Sequence, residues 1–242
     1  LDCAHMLQEL EDMGVANVIT FDTHDPRVEN AIPMSSLENI PTTYQFIKNI
    51  LRNVPDLKVD SDHMAVVSPD EGGMRRAVYL ANVLGLEMGM FYNRRDYSIR
   101  NEKHEHPIVA TEYLGPDVEG KDIIVIDDMI SSGTKMLQTA RRLKERKARR
   151  IYLCATFGLF TDGIEPFDKA YEEGLFDNVV TTNLVYQPEE YITRPYHIQC
   201  DLSKYIALII DTMNHDGSMS PLRNPVERVH NLLKRYENKE NL

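Results

Sequence analysis

The residues with the clearest chemical purpose run from Val125 to Thr134, Val-Ile-Asp-Asp-Met-Ile-Ser-Ser-Gly-Thr. Two acids, Asp127 and Asp128, follow a continuous apolar run, Ile123 to Ile126, of the kind that forms a buried parallel strand. Carboxylates at such a strand end can accept hydrogen bonds from the vicinal hydroxyls of a ribose, and small residues beyond them let consecutive backbone amides approach a phosphate. Ser131, Ser132 and Thr134 add hydroxyl donors, and Gly133 allows a backbone angle that other residues resist. A helix opening at Thr134 would point its positive end at the same anion. Ser-Ser-Gly-Thr alone is also an ordinary capped helix turn; the buried strand and paired acids favour a sugar-phosphate site.

A second segment, Ser68-Pro69-Asp70-Glu71-Gly72-Gly73, lies between an apolar strand and a helix that carries Arg76. Paired glycines there can turn backbone amides toward phosphate, although a tight strand-to-helix turn would use them equally well. A third segment, Asp22-Thr23-His24-Asp25, is a polar cluster just beyond the strand Val18 to Phe21, where open α/β sheets display their chemistry.

Alternating strands and helices must position these clusters. The spacing predicts an opening helix with Cys3, Met6, Leu7 and Leu10 on one face and Gly14 as its stop, then the strand at Val18 and a loop from Pro33 to Pro41. Next come a helix near Tyr44 to Leu51, a strand Met64 to Val67, a helix Gly73 to Leu84 with Ala77, Leu80, Ala81 and Leu84 facing a sheet, and a strand near Met88 to Tyr92. Arg94 to Pro107 is dense in charge and histidine and reads as a mobile loop of lid length. A helix with Met136, Ala140 and Leu143 inward follows the acid pair, and its basic end, Lys144 to Arg150, reads as a solvated cap. A strand near Ile151, another at Val179 to Val180, and closing helices at Leu202 to Met213 and Val226 to Tyr236, with Asn224 and Pro225 as cap and first residue, complete a mostly parallel sheet with right-handed crossovers.

Bulk properties narrow the options. The chain has 242 residues, 42% of them hydrophobic, enough for one large domain or two modest ones. With 27 Lys and Arg against 38 Asp and Glu, the net charge of -11 argues against a broad nucleic-acid surface, so any anion site must be local. Cys3, Cys154 and Cys200 are scattered and form no metal or disulfide pattern, which fits a reducing cytoplasm. No apolar run reaches the length of a membrane span. The first residue is Leu and the chain opens inside an amphipathic segment, so further residues upstream are expected.

Over almost the whole chain, these segments together resemble the ribose-phosphate diphosphokinases. Asp127 to Thr134 is similar to that family's ribose-phosphate loop, and Ser68 to Gly73 with Arg76 to its diphosphate loop. Phe21 to Asp25 resembles its Asp-x-His-Ala segment. The resemblance implies two phosphoribosyltransferase-like α/β domains, each a parallel sheet with helices on both faces: an incomplete first domain in residues 1–40, a second in 41–215, and a C-terminal helix in 216–242 returning to the first. It implies transfer of diphosphate from ATP to the C1 hydroxyl of ribose 5-phosphate, with magnesium as cofactor and a homo-oligomeric form, dimer or hexamer. Asp127, Asp128, Ser131, Ser132, Gly133 and Thr134 would bind ribose 5-phosphate, and Asp70, Glu71, Gly72, Gly73 and Arg76 the migrating diphosphate. His24 and Asp70 would hold the metal, and Arg94 and Arg95 would neutralise transition-state charge.

Departures from the family pattern are specific. Asn93 stands where a Lys-Arg-Arg run would begin, Ser131 replaces an acid, and Phe157 replaces a histidine. The segment that grips adenine in the family lies upstream of Leu1. A non-catalytic regulatory or structural relative is therefore the alternative reading, and a phosphoribosyltransferase consuming phosphoribosyl diphosphate is a second.

Overall fold

The structure is a computed structural model that describes residues 2–96, 98–100, 106 and 108–240, the Arg95 side chain excepted. The chain begins with α1 (Asp2–Asp12), β1 (Asn17–Phe21), a 3-10 turn (Pro26–Ala31), β2 (Ser36–Ile40) and α2 (Thr43–Asn53). Then follow β3 (Met64–Ser68), α3 (Met74–Leu84), β4 (Glu87–Arg95), β5 (Ile108–Leu114), β6 (Asp122–Ile130) and α4 (Thr134–Glu145). The remainder is β7 (Ile151–Gly158), α5 (Glu165–Glu172), β8 (Asn178–Thr182), α6 (Glu189–Ile192), β9 (His197–Cys200), α7 (Ser203–Asn214), α8 (Ser220–Arg223) and α9 (Val226–Glu237).

Among the described residues, seven strands form one sheet in the order β5-β4-β3-β6-β7-β8-β9, parallel except where β5 runs antiparallel along β4. Strand side chains alternate between two apolar layers. Met64, Val66, Ile124, Ile126, Tyr152 and Cys154 pack with α2, α3, α7 and α9, while Ala65, Val67, Ile123, Val125 and Leu153 pack with α4 and α5. Burial on both faces is why the central strands read as unbroken apolar runs. The expected mostly parallel sheet with helices on both faces is the architecture observed.

Several local expectations need correction. Where one strand was expected before Pro41, Ser36–Ile40 forms a second that pairs in parallel with β1, Asn17 opposite Ser36 and Phe21 opposite Ile40. The polar Glu38 and Asn39 hide it from an apolar-run criterion. β4 also continues past Tyr92, so Arg94 and Arg95 belong to a strand paired with Ala110 and Ile108 and not to a loop. Of the expected lid, Tyr97, residues 101–105 and Pro107 lie outside the described residues.

The basic run after α4 is more than a solvated cap. Arg149 and Arg150 both direct Nε and Nη2 to the fully buried Asp122 at 2.6–3.1 Å. Burial works to raise the Asp122 pKa, but the two guanidiniums outweigh it and hold the acid below its usual range. The C-terminal segment also divides its contacts. Arg223 in α8 reaches Glu38 of β2 at 2.8 Å, whereas α9 packs on α2 and α3, with Tyr236 accepting from the Leu57 amide at 3.0 Å.

Candidate functional site

The polar clusters converge at the carboxyl ends of β3, β6 and β7, with the end of β1 folded over them. β6 stays paired to β7 beyond the apolar run, Asp127 opposite Ala155 and Ile130 opposite Gly158, so both acids belong to the strand and are only 2% exposed. Carboxylates buried this deeply need partners.

Asp128 obtains its partner from 104 residues earlier: His24 Nδ1 lies 2.6 Å from its Oδ2, with Arg76 Nη2 at 3.8 Å. Burial would raise the Asp128 pKa, but the His24 hydrogen bond and the Arg76 charge prevail and hold it below the ordinary carboxylate range. Asp127 Oδ1 accepts the Asp128 amide at 3.0 Å, and its Oδ2 lies 2.6 Å from Lys135 Nζ. For Asp127 burial wins over the lysine, and its pKa is pushed up to about 6.

Beyond the acids, the chain turns through Gly133 at φ 83°, and a Cβ there would overlap the Phe167 ring. That position requires glycine both for backbone angle and for space. Ser132 Oγ donates to Thr134 Oγ1 at 3.1 Å and accepts the Thr134 amide at 3.4 Å, while the N-cap residue Gly133 has no side chain to offer the first turn of α4. Ser131 and Thr134 are exposed. Donors of a helix N-terminus and three hydroxyls therefore gather beside the paired acids, the arrangement expected for a sugar phosphate.

In the neighbouring loop, Asp70 Oδ1 accepts the amides of Gly72 at 3.0 Å and Gly73 at 3.2 Å, and Asp70 Oδ2 lies 3.0 Å from Lys135 Nζ. Gly73 sits so close to Ser68 Oγ and Ile126 O that a Cβ would be 2.7 Å and 3.3 Å from them. Glu71 Oε1 accepts the Asn93 amide at 3.1 Å, which ties the loop to β4. Arg94, next along β4, is exposed, and the Arg95 side chain lies outside the described residues.

Arg76, expected at the diphosphate, also has protein partners. Its Nε donates to Asp22 Oδ1 at 2.6 Å and its Nη2 to the Thr23 carbonyl at 2.7 Å, so the guanidinium clasps the end of β1 to α3. Thr42 donates to Thr156 Oγ1 at 2.8 Å, and Thr156 donates to Asp22 Oδ2 at 2.7 Å, completing the clasp. Burial raises the Asp22 pKa against these donors. The residue itself stands at φ 44°, a left-handed angle that Asp tolerates better than most. Beside it a cleft of about 480 Å³ opens, with Thr23, Arg27, Thr42, Gly72, Arg75 and Tyr79 in its walls.

Of the expected metal pair, His24 places Nδ1 against Asp128, and Asp70 meets its own loop and Lys135. Among the described residues no three His, Cys, Asp or Glu side chains cluster as metal ligands. Nor is any described helix long and apolar enough to cross a membrane. Sequence reasoning missed Lys135 and the threonine relay. A signal for Lys135 existed, since a cation in the first turn of a helix opposes the helix dipole and must be held there by acids.

Comparison with known proteins places the chain in a family. Residues 33–183 match the model of the phosphoribosyl transferase domain. The ribose-phosphate pyrophosphokinase of Aquifex aeolicus is 31% identical over 177 residues, 72% of this chain and 50% of that protein. The enzyme of the same name from Thermococcus kodakarensis is 32% identical, over 67% of this chain and 52% of its own length. The Vibrio cholerae protein is 28% identical over 89% of this chain and 63% of its own length. The chain thus spans between half and two thirds of these relatives. The crystal structure of phosphoribosylpyrophosphate synthetase from Mycobacterium smegmatis superposes with a TM-score of 0.71 at 21% identity, covering 89% of this chain and 64% of that one, and so shares the fold. The chain belongs to the phosphoribosyl transferase domain family, and these curated relatives are ribose-phosphate pyrophosphokinases.

Proposed function

We propose that this chain carries the ribose 5-phosphate and diphosphate sites of a ribose-phosphate diphosphokinase. The observation that carries the reading is the junction of the two loops: Asp127, at the sugar-phosphate loop, and Asp70, at the diphosphate loop, share one lysine at 2.6 Å and 3.0 Å. Acceptor and donor sites thereby adjoin, as transfer between them requires.

In this reading Asp127 and Asp128 accept the ribose hydroxyls, and Ser131 to Thr134 with the α4 N-terminus hold the 5-phosphate. The depressed pKa of Asp128 keeps it an ionised acceptor at neutral pH. The anomeric oxygen then attacks the β-phosphorus of ATP, a new P–O bond forms, the α-β bridge breaks and AMP leaves. Phosphoryl chemistry of this type depends on positioning and charge neutralisation more than on covalent help from the protein. Gly72 and Gly73 supply amides to the migrating group, and Arg94 and Arg95 extend from β4 as further cations.

Magnesium takes oxygen ligands and usually keeps several waters beside one or two carboxylates and substrate phosphates. Asp70 suits such an ion, which would supply charge neutralisation at the phosphates. His24 suits it less, because it would offer a nitrogen, Nε2, where magnesium prefers oxygen. We assign His24 to orienting Asp128.

One observation favours the non-catalytic alternative: Asn93 is neutral and already bonded, its Oδ1 accepting the Thr111 hydroxyl at 2.7 Å. Release of AMP from magnesium-ATP with and without ribose 5-phosphate, using the product of the intact gene, separates the readings. Sugar-dependent AMP supports the diphosphokinase, and ribose 5-phosphate binding without AMP supports the non-catalytic relative.

A further inference from the structure

We propose that Lys135 is the cation that grips the transferred diphosphate, a contact to substrate and not only a tie between loops. The inference rests on the diphosphokinase reading and deepens it.

Lys135 is the second residue of α4, where the helix dipole disfavours a positive charge. Its Nζ nevertheless lies 2.6 Å from Asp127 Oδ2 and 3.0 Å from Asp70 Oδ2. The side chain is 45% exposed against 3% and 23% for these acids, so the ammonium covers the acids from the solvent side.

The other oxygen of Asp70 receives the amides of Gly72 and Gly73. One carboxylate thus collects an ammonium and two backbone N–H donors, a donor set suited to an oxyanion. A phosphate presents more oxygens and more charge than a carboxylate to the same donors. When it arrives, Nζ exchanges Asp70 for phosphate oxygen, a move within reach of a flexible four-carbon stem. β4 adds no described charge from Asn93, whose amide and side chain are bonded to Glu71 and Thr111.

The test uses the full-length gene product and titrates inorganic diphosphate and ribose 5-phosphate separately by calorimetry, with AMP release measured alongside. Lys135→Met is expected to weaken diphosphate binding by roughly ten- to a hundredfold, the size of a lost charge-assisted hydrogen bond. Its affinity for ribose 5-phosphate should fall several-fold less than its affinity for diphosphate, because Lys135 reaches the sugar only through Asp127, and Lys135→Arg should recover part of the diphosphate affinity. Unchanged diphosphate binding in Lys135→Met overturns the proposal. So does an equal loss of both ligands, which is what a tie between loops would give. A wild-type protein that binds ribose 5-phosphate but neither binds diphosphate nor releases AMP removes the diphosphokinase reading itself, and that result is visible before any variant is made.

Discussion

His24 Nδ1 stands 2.6 Å from Asp128 Oδ2, joining the segment beyond β1 to the central strand across 104 residues of chain. An ionised carboxylate can only accept, so the imidazole donates, which fixes one Asp128 oxygen and leaves the other for a ligand. If that oxygen binds ribose, Asp128→Asn should weaken ribose 5-phosphate binding by about ten- to a hundredfold, the size of a hydrogen bond to a charged group, while the protein stays folded. Calorimetric affinity equal to the wild type would remove Asp128 from the site.

Asp127 supplies a pH test. Its folded pKa is raised from 3.8 to about 6, so the native state binds its proton more tightly than the unfolded chain does. The corresponding stability is present at low pH and is lost as pH rises between those two values. Asp127→Asn stays neutral throughout, and its unfolding free energy in urea should therefore gain on wild type by on the order of 2–3 kcal/mol between pH 4 and pH 7. Parallel curves would mean that Asp127 titrates normally.

Gly133 combines a φ of 83° with a space filled by the Phe167 ring. Gly133→Ala should cost about 2–4 kcal/mol, adding left-handed strain to overpacking. Thermal unfolding reads the loss. A variant as stable as wild type would show that the loop relaxes freely.

At the opposite end of β6, Asp122→Asn would leave Arg149 and Arg150 without their buried anion. The expected cost is about 3 kcal/mol. Because the Asp122 pKa is lowered in the fold, its stabilisation is present above the unfolded value and lost as acid is added. The gap between variant and wild type in urea should hence narrow below pH 4. A gap constant with pH would contradict the ion-pair account.

Legibility in the sequence followed burial. Ile123 to Ile126 and Met64 to Val67 are apolar on both faces, so their strands and the polar turns after them stand out. β2 and β5 do not, because Glu38 and Asn39 interrupt the first and the exposed Ile108, Val109 and Leu114 of the second lie on an edge with no core-facing alternation. The placement of Asp70 and Asp127 at strand ends was readable, because each follows a continuous apolar run. Partnerships between distant segments were not: Arg76 with Asp22, Thr156 with Asp22, and Lys135 with Asp70 depend on how the β1 segment and α4 close over the sheet. The resemblance to a diphosphate loop suggested a phosphate contact for Arg76 but could not show its tie to Asp22.

The central claim is that acceptor and diphosphate sites adjoin so that two phosphoryl groups leave ATP as a unit. Phosphorus NMR of the intact gene product with magnesium-ATP and ribose 5-phosphate follows this directly. A sugar 1-diphosphate signal growing in step with AMP, and no ADP, is the expected result. ADP with a sugar monophosphate, or an unchanged ATP spectrum while ribose 5-phosphate is bound, would contradict it.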